Sequence, residues 1–217
     1  MELTLYQIDA FANRPFEGNP AAVCPLQEWL PDETLQSIAA ENNLSETAFF
    51  LPTDEGFHTR WFTPTQEVDL CGHATLASAW VLFNHLDYAG KRVSFQSRSG
   101  LLTVERRQDW LEIDFPSQPP RACDMPELIR TAFGVLPVAC LVNQDYVLVF
   151  EDEADVIGAR PDMSAFRELD LRGVSITARS RAYDFVVRFF APRYGMDEDP
   201  VTGSAFTQII PYWSVVL

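Results

Sequence analysis

Basic residues are scarce in this sequence of 217 residues. Lysine and arginine together number 16 against 31 aspartates and glutamates, Lys91 is the only lysine, and the formal net charge is −15. A surface of that sign repels phosphate backbones, so the composition argues against a nucleic-acid partner. It also repels small anions at long range, so a site for an anionic substrate would have to be built locally from helix ends and individual Arg or Ser groups.

Long apolar runs and targeting signals are also lacking. No apolar run approaches the length of about 18 residues that a membrane-spanning helix needs. The N-terminal segment has neither the basic flank nor the apolar core of a signal peptide. We therefore expect a cytoplasmic protein with no membrane partner.

Cysteine and histidine are few and scattered. The three histidines and the four cysteines show none of the paired spacings of zinc sites or disulfide frameworks; the cysteines are Cys24, Cys71, Cys123 and Cys140. We therefore expect reduced thiols and no metal. Walker, Gly-x-Gly-x-x-Gly and Gly-x-Ser-x-Gly patterns are absent as well, so nothing in the sequence calls for a nucleotide cofactor or for a serine hydrolase.

What the sequence does contain is an internal repeat. Residues 60–64 read Arg-Trp-Phe-Thr-Pro, and after an acidic connection Gly72 opens an apolar run. Residues 188–192 read Arg-Phe-Phe-Ala-Pro, and after another acidic connection Gly203 opens the next. Each copy predicts an aromatic strand, a carboxylate-bearing loop and a helix start whose N–H groups face a ligand. We predict that the two helix starts converge on one anionic substrate.

The chain as a whole predicts an α+β fold of two similar domains, residues 1–116 and 121–217. Each domain is expected to be a curled mixed or antiparallel sheet around a central helix. The helix predicted from His73 to about Leu86 is apolar on nearly every side, so other elements must surround it. The proline-rich run at residues 116–120 is the best linker. Strands are predicted at residues 3–11, 21–24, 47–51, 57–62, 93–96, 101–106, 110–115, 138–142, 146–150, 174–178 and 185–190.

The second copy of the repeat is shorter than the first. Gly72 lies 44 residues before Pro116, whereas Gly203 lies only 14 residues before Leu217. An apolar helix needs cover, so we expect the second domain to be C-terminally incomplete and to lack roughly 30 residues of sheet.

Three residues are candidates for proton chemistry. Glu46 lies between a helix end and an apolar strand, and is either a solvated turn residue or a general base whose pKa the apolar neighbours raise. His73 is either a satisfied polar residue at a helix start or a neutral imidazole whose pKa the helix dipole lowers. Asp199 belongs to a run of three carboxylates that either share a proton or cap the second helix.

Cys71 raises the question of a Cys–His pair with His73. Residues two apart at a helix start are not expected to face each other as nucleophile and base, so we do not predict a catalytic thiol.

Taken together, these motifs resemble the PhzF family of phenazine biosynthesis-like proteins, which is built on the diaminopimelate epimerase fold. They occur in the family order from residue 9 to residue 205. The motifs are Asp9-Ala-Phe-Ala12, Phe16-Glu-Gly-Asn-Pro-Ala-Ala22, Leu44-Ser-Glu-Thr-Ala-Phe49, Phe62-Thr-Pro-Thr65, Cys71-Gly-His-Ala-Thr75 and Glu198-Asp-Pro-Val-Thr-Gly-Ser-Ala205.

The resemblance implies an active site in the cleft between two domains, usually in a homodimer, and a cofactor-free isomerase in which a glutamate moves a proton between carbons. That role falls to Glu46, with His73 and Asp199 as further catalytic candidates. The substrate-binding candidates are Asn19, Gly72, Ala74, Gly203 and Ser204.

Two features of the chain bear on this resemblance. Epimerase relatives use a cysteine pair at the two helix ends, where this chain offers His73 and Ser204, which argues against amino-acid racemisation. Phe206 stands where many members carry a histidine, so one polar contact to substrate is missing.

We therefore expect an isomerase that acts on a small carboxylate-bearing metabolite. One alternative is a non-catalytic ligand-binding or interaction protein on the same fold, and another is a cysteine-dependent racemase.

Overall fold

A computed structural model describes residues 2–14 and 16–217. These residues divide into two compact units, one ending at Phe115 and the other beginning at Pro116. The first unit contains, in chain order, β1 (Tyr6–Ala10), β2 (Asn19–Pro25), α1 (Asp32–Asn42), β3 (Glu46–Thr53), β4 (Gly56–Phe62), β5 (Glu67–Val68), α2 (Gly72–His85), β6 (Arg92–Ser97), β7 (Gly100–Arg107) and β8 (Trp110–Asp114).

The strands of the first unit form one curled, mixed sheet of eight strands. Their order is β1-β2-β3-β4-β6-β7-β8, with β5 paired to β4. The pairs β2–β3 and β4–β6 are parallel, and the other pairs are antiparallel. Apolar side chains from one face of this sheet pack around α2 in a single core. The predicted α+β architecture of the first unit is therefore confirmed.

Helix α2 is buried because its sequence gives it no polar face. Every residue from Gly72 to Ala79 is buried, and the helix becomes exposed only at Trp80 and in its last turn. The buried hydroxyl of Ser78 is satisfied within the helix, since it donates to the carbonyl of Ala74 at 2.8 Å. None of the helices in the described part of the chain combines the length and the apolar character needed to cross a membrane.

Helix α1 covers the opposite face of the sheet and leads directly into β3. Its buried residues Leu35 and Ala39 pack against Phe49 and Phe62. The helix ends at Asn43, which adopts a left-handed conformation with φ +50° and donates its backbone N–H to the carbonyl of Ala39. Asparagine tolerates this conformation better than most residues, which explains why the helix ends at this position.

The second unit contains, in chain order, β9 (Arg121–Ala122), α3 (Glu127–Ala132), β10 (Ala139–Val142), β11 (Tyr146–Val149), α4 (Glu153–Gly158), α5 (Met163–Arg167), β12 (Val174–Arg179), β13 (Phe185–Ala191), a 3₁₀ turn (Pro192–Tyr194), β14 (Met196–Asp199) and α6 (Gly203–Val216). The six strands form a mixed sheet in the order β14-β13-β12-β11-β10-β9. Only β11 and β12 are parallel among these pairs.

The two faces of the second sheet are covered differently. Helix α6 packs on one face through Ala205, Ile209 and Trp213, whereas α3, α4 and α5 contribute to the core on the other face. On α6 itself, Ile210 and Val215 are exposed. Within the second unit, the described sheet therefore covers the helix from one side.

A buried polar network links α6 to the turn between β10 and β11. Asp145 is fully buried and accepts two hydrogen bonds from the guanidinium of Arg172, at 2.9 and 2.5 Å. The side-chain amide of Gln208 donates to the same carboxylate at 2.8 Å and accepts from the backbone N–H of Asp145 at 3.2 Å. The amide and the guanidinium together satisfy a charge that would otherwise be costly to bury.

Trp213 anchors α6 to the sheet, and its replacement tests this contact. The indole N–H donates to the hydroxyl of Thr177 at 3.0 Å, and the ring stacks on Phe185 with centroids 5.9 Å apart. Because Trp213→Phe removes a buried hydrogen bond and some ring area, we expect it to lower the free energy of unfolding by about 1–2 kcal/mol. Thermal unfolding of Trp213→Phe beside Trp110→Phe, whose indole is 74% exposed, measures this loss. An equal midpoint for the two variants would contradict it.

Candidate functional site

The carboxyl group of Glu46 faces the start of α2 because of strand alternation. Glu46 is the first residue of β3, where it pairs with Ala21 of the parallel strand β2. Ala48, two residues further along β3, packs in the core around α2. Side chains two apart in a strand lie on the same face of the sheet, so Glu46 lies on the α2 face. Its side chain is only 12% exposed, and Glu46 is therefore not a solvated turn residue.

His73 is the second residue of α2 and is almost completely buried, with 2% of its surface exposed. Its Nε2 lies 3.3 Å from Oε2 of Glu46. Burial lowers the pKa of His73 to about 4, so the imidazole is neutral at pH 7. The sequence predicted the direction of this shift but assigned it to the helix dipole, whereas burial is its cause. The contact therefore joins a neutral ring to a carboxyl group and is not an ion pair.

Cys71 contacts the opposite side of the same ring. Its Sγ is 3.5 Å from Nδ1 of His73. The expectation that Cys71 and His73 do not face each other was therefore wrong. The helical spacing rule fails because Cys71 is the N-cap residue of α2, with an extended backbone at φ −142°. An N-cap side chain can fold back over the first turn. Glu46, His73 and Cys71 thus form one connected cluster.

The same cluster is the group of possible metal ligands that occurs among the described residues. One donor atom from each of Glu46, Cys71 and His73 lies within 4.8 Å of the others. Carboxylate, thiolate and imidazole are the donors that zinc accepts in proteins. Sequence reasoning missed the group because it searched for several histidines, whereas a single one takes part.

The first turn of α2 adds backbone donors beside the cluster. The N–H groups of Gly72, His73 and Ala74 are at positions where a helix has no intrahelical acceptor to offer. The side chain of the N-cap residue, Cys71, makes no capping hydrogen bond. Such a helix start attracts the negative charge of a carboxylate ligand.

Asn19 belongs to the same face of the first sheet. It is the first residue of β2 and is completely buried. Ala21 and Val23, which alternate with it along the strand, pack in the core around α2. Asn19, Glu46, Gly72, His73 and Ala74 are therefore all on the α2 side of the first unit.

The remaining candidates lie in the second unit, around the start of α6. Gly203 and Ser204 are its first two residues, and both are buried. Asp199, at the end of β14, accepts a hydrogen bond from the hydroxyl of Thr202, the N-cap residue. Asp199 is 9% exposed. The second unit thus repeats the combination of a carboxylate and a small-residue helix start.

The other two carboxylates of the acidic run do not act together with Asp199. The Asp197 carboxylate accepts from Arg167 at 2.7 Å, and Glu198 forms a two-pronged pair with Arg188 at 2.7 and 2.8 Å. No local sequence pattern indicates these pairs, since each arginine lies on a different element of the second unit. Of the three carboxylates in this run, Asp199 is the one that is buried.

These features define a class of protein: two α+β units, each with a mixed sheet, an apolar helix that begins with small residues, and a shielded carboxylate near that beginning. The sequence pattern of the family described as phenazine biosynthesis-like protein, PhzC-PhzF, matches residues 8–217. The chain therefore belongs to the PhzF family.

Individual relatives agree with this assignment. An uncharacterized isomerase of Pseudomonas aeruginosa is 53% identical over 214 residues, which cover 99% of this chain and 83% of that protein. The crystal structure of a PhzF family protein from Enterococcus faecalis superposes with a TM-score of 0.92 at 44% identity, covering 100% of this chain and 84% of that one. A predicted epimerase of Pseudomonas aeruginosa shares the fold, with a TM-score of 0.75 at 23% identity over 99% of this chain and 82% of that one. The epimerase-like fold expected from the sequence is confirmed.

Proposed function

We propose that this chain is an isomerase that moves a proton between two carbons of a small carboxylate-bearing metabolite, by general acid–base catalysis and without a cofactor. The observation that carries the proposal is the contact of 3.3 Å between the Glu46 carboxyl group and the neutral ring of His73. Both groups are shielded from water at the start of a buried helix. The naming of the related Pseudomonas aeruginosa protein as an isomerase supports the same class of reaction.

In this mechanism Glu46 takes the proton from a substrate carbon. A carboxylate shielded from water is a stronger base than one in water, because burial disfavours its charge. The neutral ring of His73 places its Nε2 3.3 Å from the carboxyl group of Glu46, while the thiol of Cys71 contacts Nδ1 at 3.5 Å. His73 thereby orients Glu46 and helps to deliver the proton to the second carbon.

The substrate carboxylate is held by backbone N–H groups and small side chains. Gly72 and Ala74 supply donors from α2, and the internal repeat predicts the same role for Gly203 and Ser204 at the start of α6. Asn19 adds a buried amide, and Asp199 is the second acid or base. Because the chain carries a net charge of −15, these local donors must supply the attraction that the overall field does not.

The proposal is tested by hydrogen exchange. The purified chain is incubated in D₂O with an extract of small carboxylic acids, and mass spectra are compared with and without the chain. We expect at least one acid to gain deuterium at carbon in the presence of the chain. If no acid gains deuterium but one of them raises the melting temperature, the chain is a ligand-binding protein on the same fold.

The contact between Cys71 and His73 makes a cysteine-dependent racemase the second candidate. Under the proposal, Cys71 only holds the tautomer of His73. Cys71→Ser keeps a hydroxyl beside Nδ1, and we expect it to retain exchange within roughly tenfold of the wild-type rate. Cys71→Ala removes the donor and should be the slower of the two variants. Equal loss of more than about a hundredfold in both, measured in the same D₂O assay, would assign the proton transfer to the thiol.

A further inference from the structure

Two cysteines that are far apart in the sequence lie opposite each other in the second unit. The pairing of β9 with β10 matches Ala122 to Leu141, and continuing the register by one residue places Cys123 opposite Cys140. The backbone N–H of Cys123 donates to the carbonyl of Cys140 at 3.1 Å. Their Sγ atoms are 3.4 Å apart. We propose that Cys123 and Cys140 form a site of reversible thiol oxidation, at which a peroxide or a small-molecule disulfide converts the pair into an intrachain disulfide.

The backbone is already in place for this bond. Residues that oppose each other in an antiparallel pair have Cα atoms roughly 4.5–5.5 Å apart, which lies within the range that disulfides span. The two sulfur atoms must still approach to about 2 Å. Rotation of the side chains is sufficient for this approach, because both residues sit on a paired and hydrogen-bonded frame.

The two thiols differ in accessibility, which sets the order of events. Cys123 is half-buried, whereas Cys140 is buried in the core of the second unit. Burial, together with the contact to Cys123, raises the pKa of Cys140 to about 12. An oxidant in solution therefore reaches Cys123 first, and Cys140 acts as the resolving thiol.

The chemistry balances with hydrogen peroxide as oxidant. The sulfur of Cys123 attacks one peroxide oxygen, the O–O bond breaks, and water leaves after proton transfer, so that Cys123 becomes a sulfenic acid. The sulfur of Cys140 then attacks the sulfenic sulfur, and the S–OH bond breaks to release a second water. Two thiols and one peroxide thus give one disulfide and two waters. With a small-molecule disulfide, the sulfur of Cys123 attacks one of its sulfur atoms, the S–S bond breaks, and one small thiol leaves as the mixed disulfide forms. Cys140 then attacks the Cys123 sulfur and displaces the second small thiol.

The bond would join two residues that are 17 positions apart and would close a loop that contains α3. Closing such a loop restricts the unfolded chain and stabilises the folded one. For a chain of this length, we expect the oxidised form to melt about 5–10 °C higher than the reduced form.

The experiment compares reduced and oxidised wild-type chain with Cys123→Ser. The wild type is treated with hydrogen peroxide, or separately with oxidised glutathione, and is then alkylated, digested and analysed by mass spectrometry without reductant. We expect a linked peptide that joins Cys123 to Cys140, free alkylated Cys24 and Cys71, and a higher melting temperature that dithiothreitol reverses. Cys123→Ser should give neither the linked peptide nor the shift.

Other products would overturn the proposal. These are recovery of both cysteines as separate thiols, a lasting glutathione adduct on Cys123, or bonds to other cysteines or other chains. Circular dichroism of Cys123→Ser checks that its fold is intact, and Cys140→Ala provides the same test from the buried side. Because the readouts are disulfide mapping and melting, they do not depend on the proposed isomerase activity.

Discussion

Glu46→Gln should abolish deuterium incorporation into the substrate while the chain still binds it. Glutamine has nearly the shape of glutamate and can keep its place beside His73, but its amide cannot accept a proton from carbon. Loss of a positioned general base lowers a rate by roughly 10²–10⁴-fold. The measurement is the rate of exchange in D₂O of the acid that the wild type labels, together with ligand-induced thermal stabilisation.

The matched control for this prediction is Glu41→Gln. Glu41 is an exposed carboxylate on α1 of the same unit, and its change removes the same charge from the chain. We expect Glu41→Gln to exchange at the wild-type rate. Exchange that survives in Glu46→Gln would contradict the assignment of the base, and loss of ligand stabilisation in that variant would assign Glu46 to binding instead.

The fold could be predicted largely from local patterns. Helix α2 was predicted because an apolar run with no polar face must be buried. The strands that the sequence missed are β5, β9 and β14, which are two to four residues long. Segments of this length are too short to show an alternation of apolar and polar residues, and β14 is also acidic. Their pairing is decided by neighbouring strands and not by their own composition.

The candidate site could be predicted only in part. Glu46 and His73 were identified by their positions beside a helix end and a helix start, which are local features. The contacts of Cys71 and of Cys123 were not predicted, because one depends on the N-cap geometry of α2 and the other on strand register. The partners of Asp197 and Glu198 depend in the same way on where Arg167 and Arg188 lie in the fold. The convergence of the two helix starts on one ligand stays a prediction.

Stability should fall as the solution is acidified from about pH 6.5 to pH 4, and His73 should cause a defined part of this fall. The pKa of His73 is lowered from 6.5 to about 4 because the ring is buried. Between these values the unfolded chain binds a proton that the folded chain does not, so lowering the pH favours unfolding. The contribution of His73 is thus fully present above the unfolded pKa and is lost by the folded pKa. At 1.36 kcal/mol per pKa unit, the loss amounts to about 3 kcal/mol.

The variant His73→Gln separates this effect from the carboxylates, which also titrate near pH 4. Glutamine is neutral throughout, so the difference in free energy of unfolding between wild type and variant should shrink by about 3 kcal/mol between pH 7 and pH 4. Urea unfolding at several pH values in this range measures it. His85→Gln, at the exposed end of α2, is the matched control for the substitution itself. A constant difference between wild type and His73→Gln would mean that the folded chain binds this proton as readily as the unfolded chain, and a difference that grows as the pH falls would mean that the ring is charged and paired with Glu46 in the folded protein.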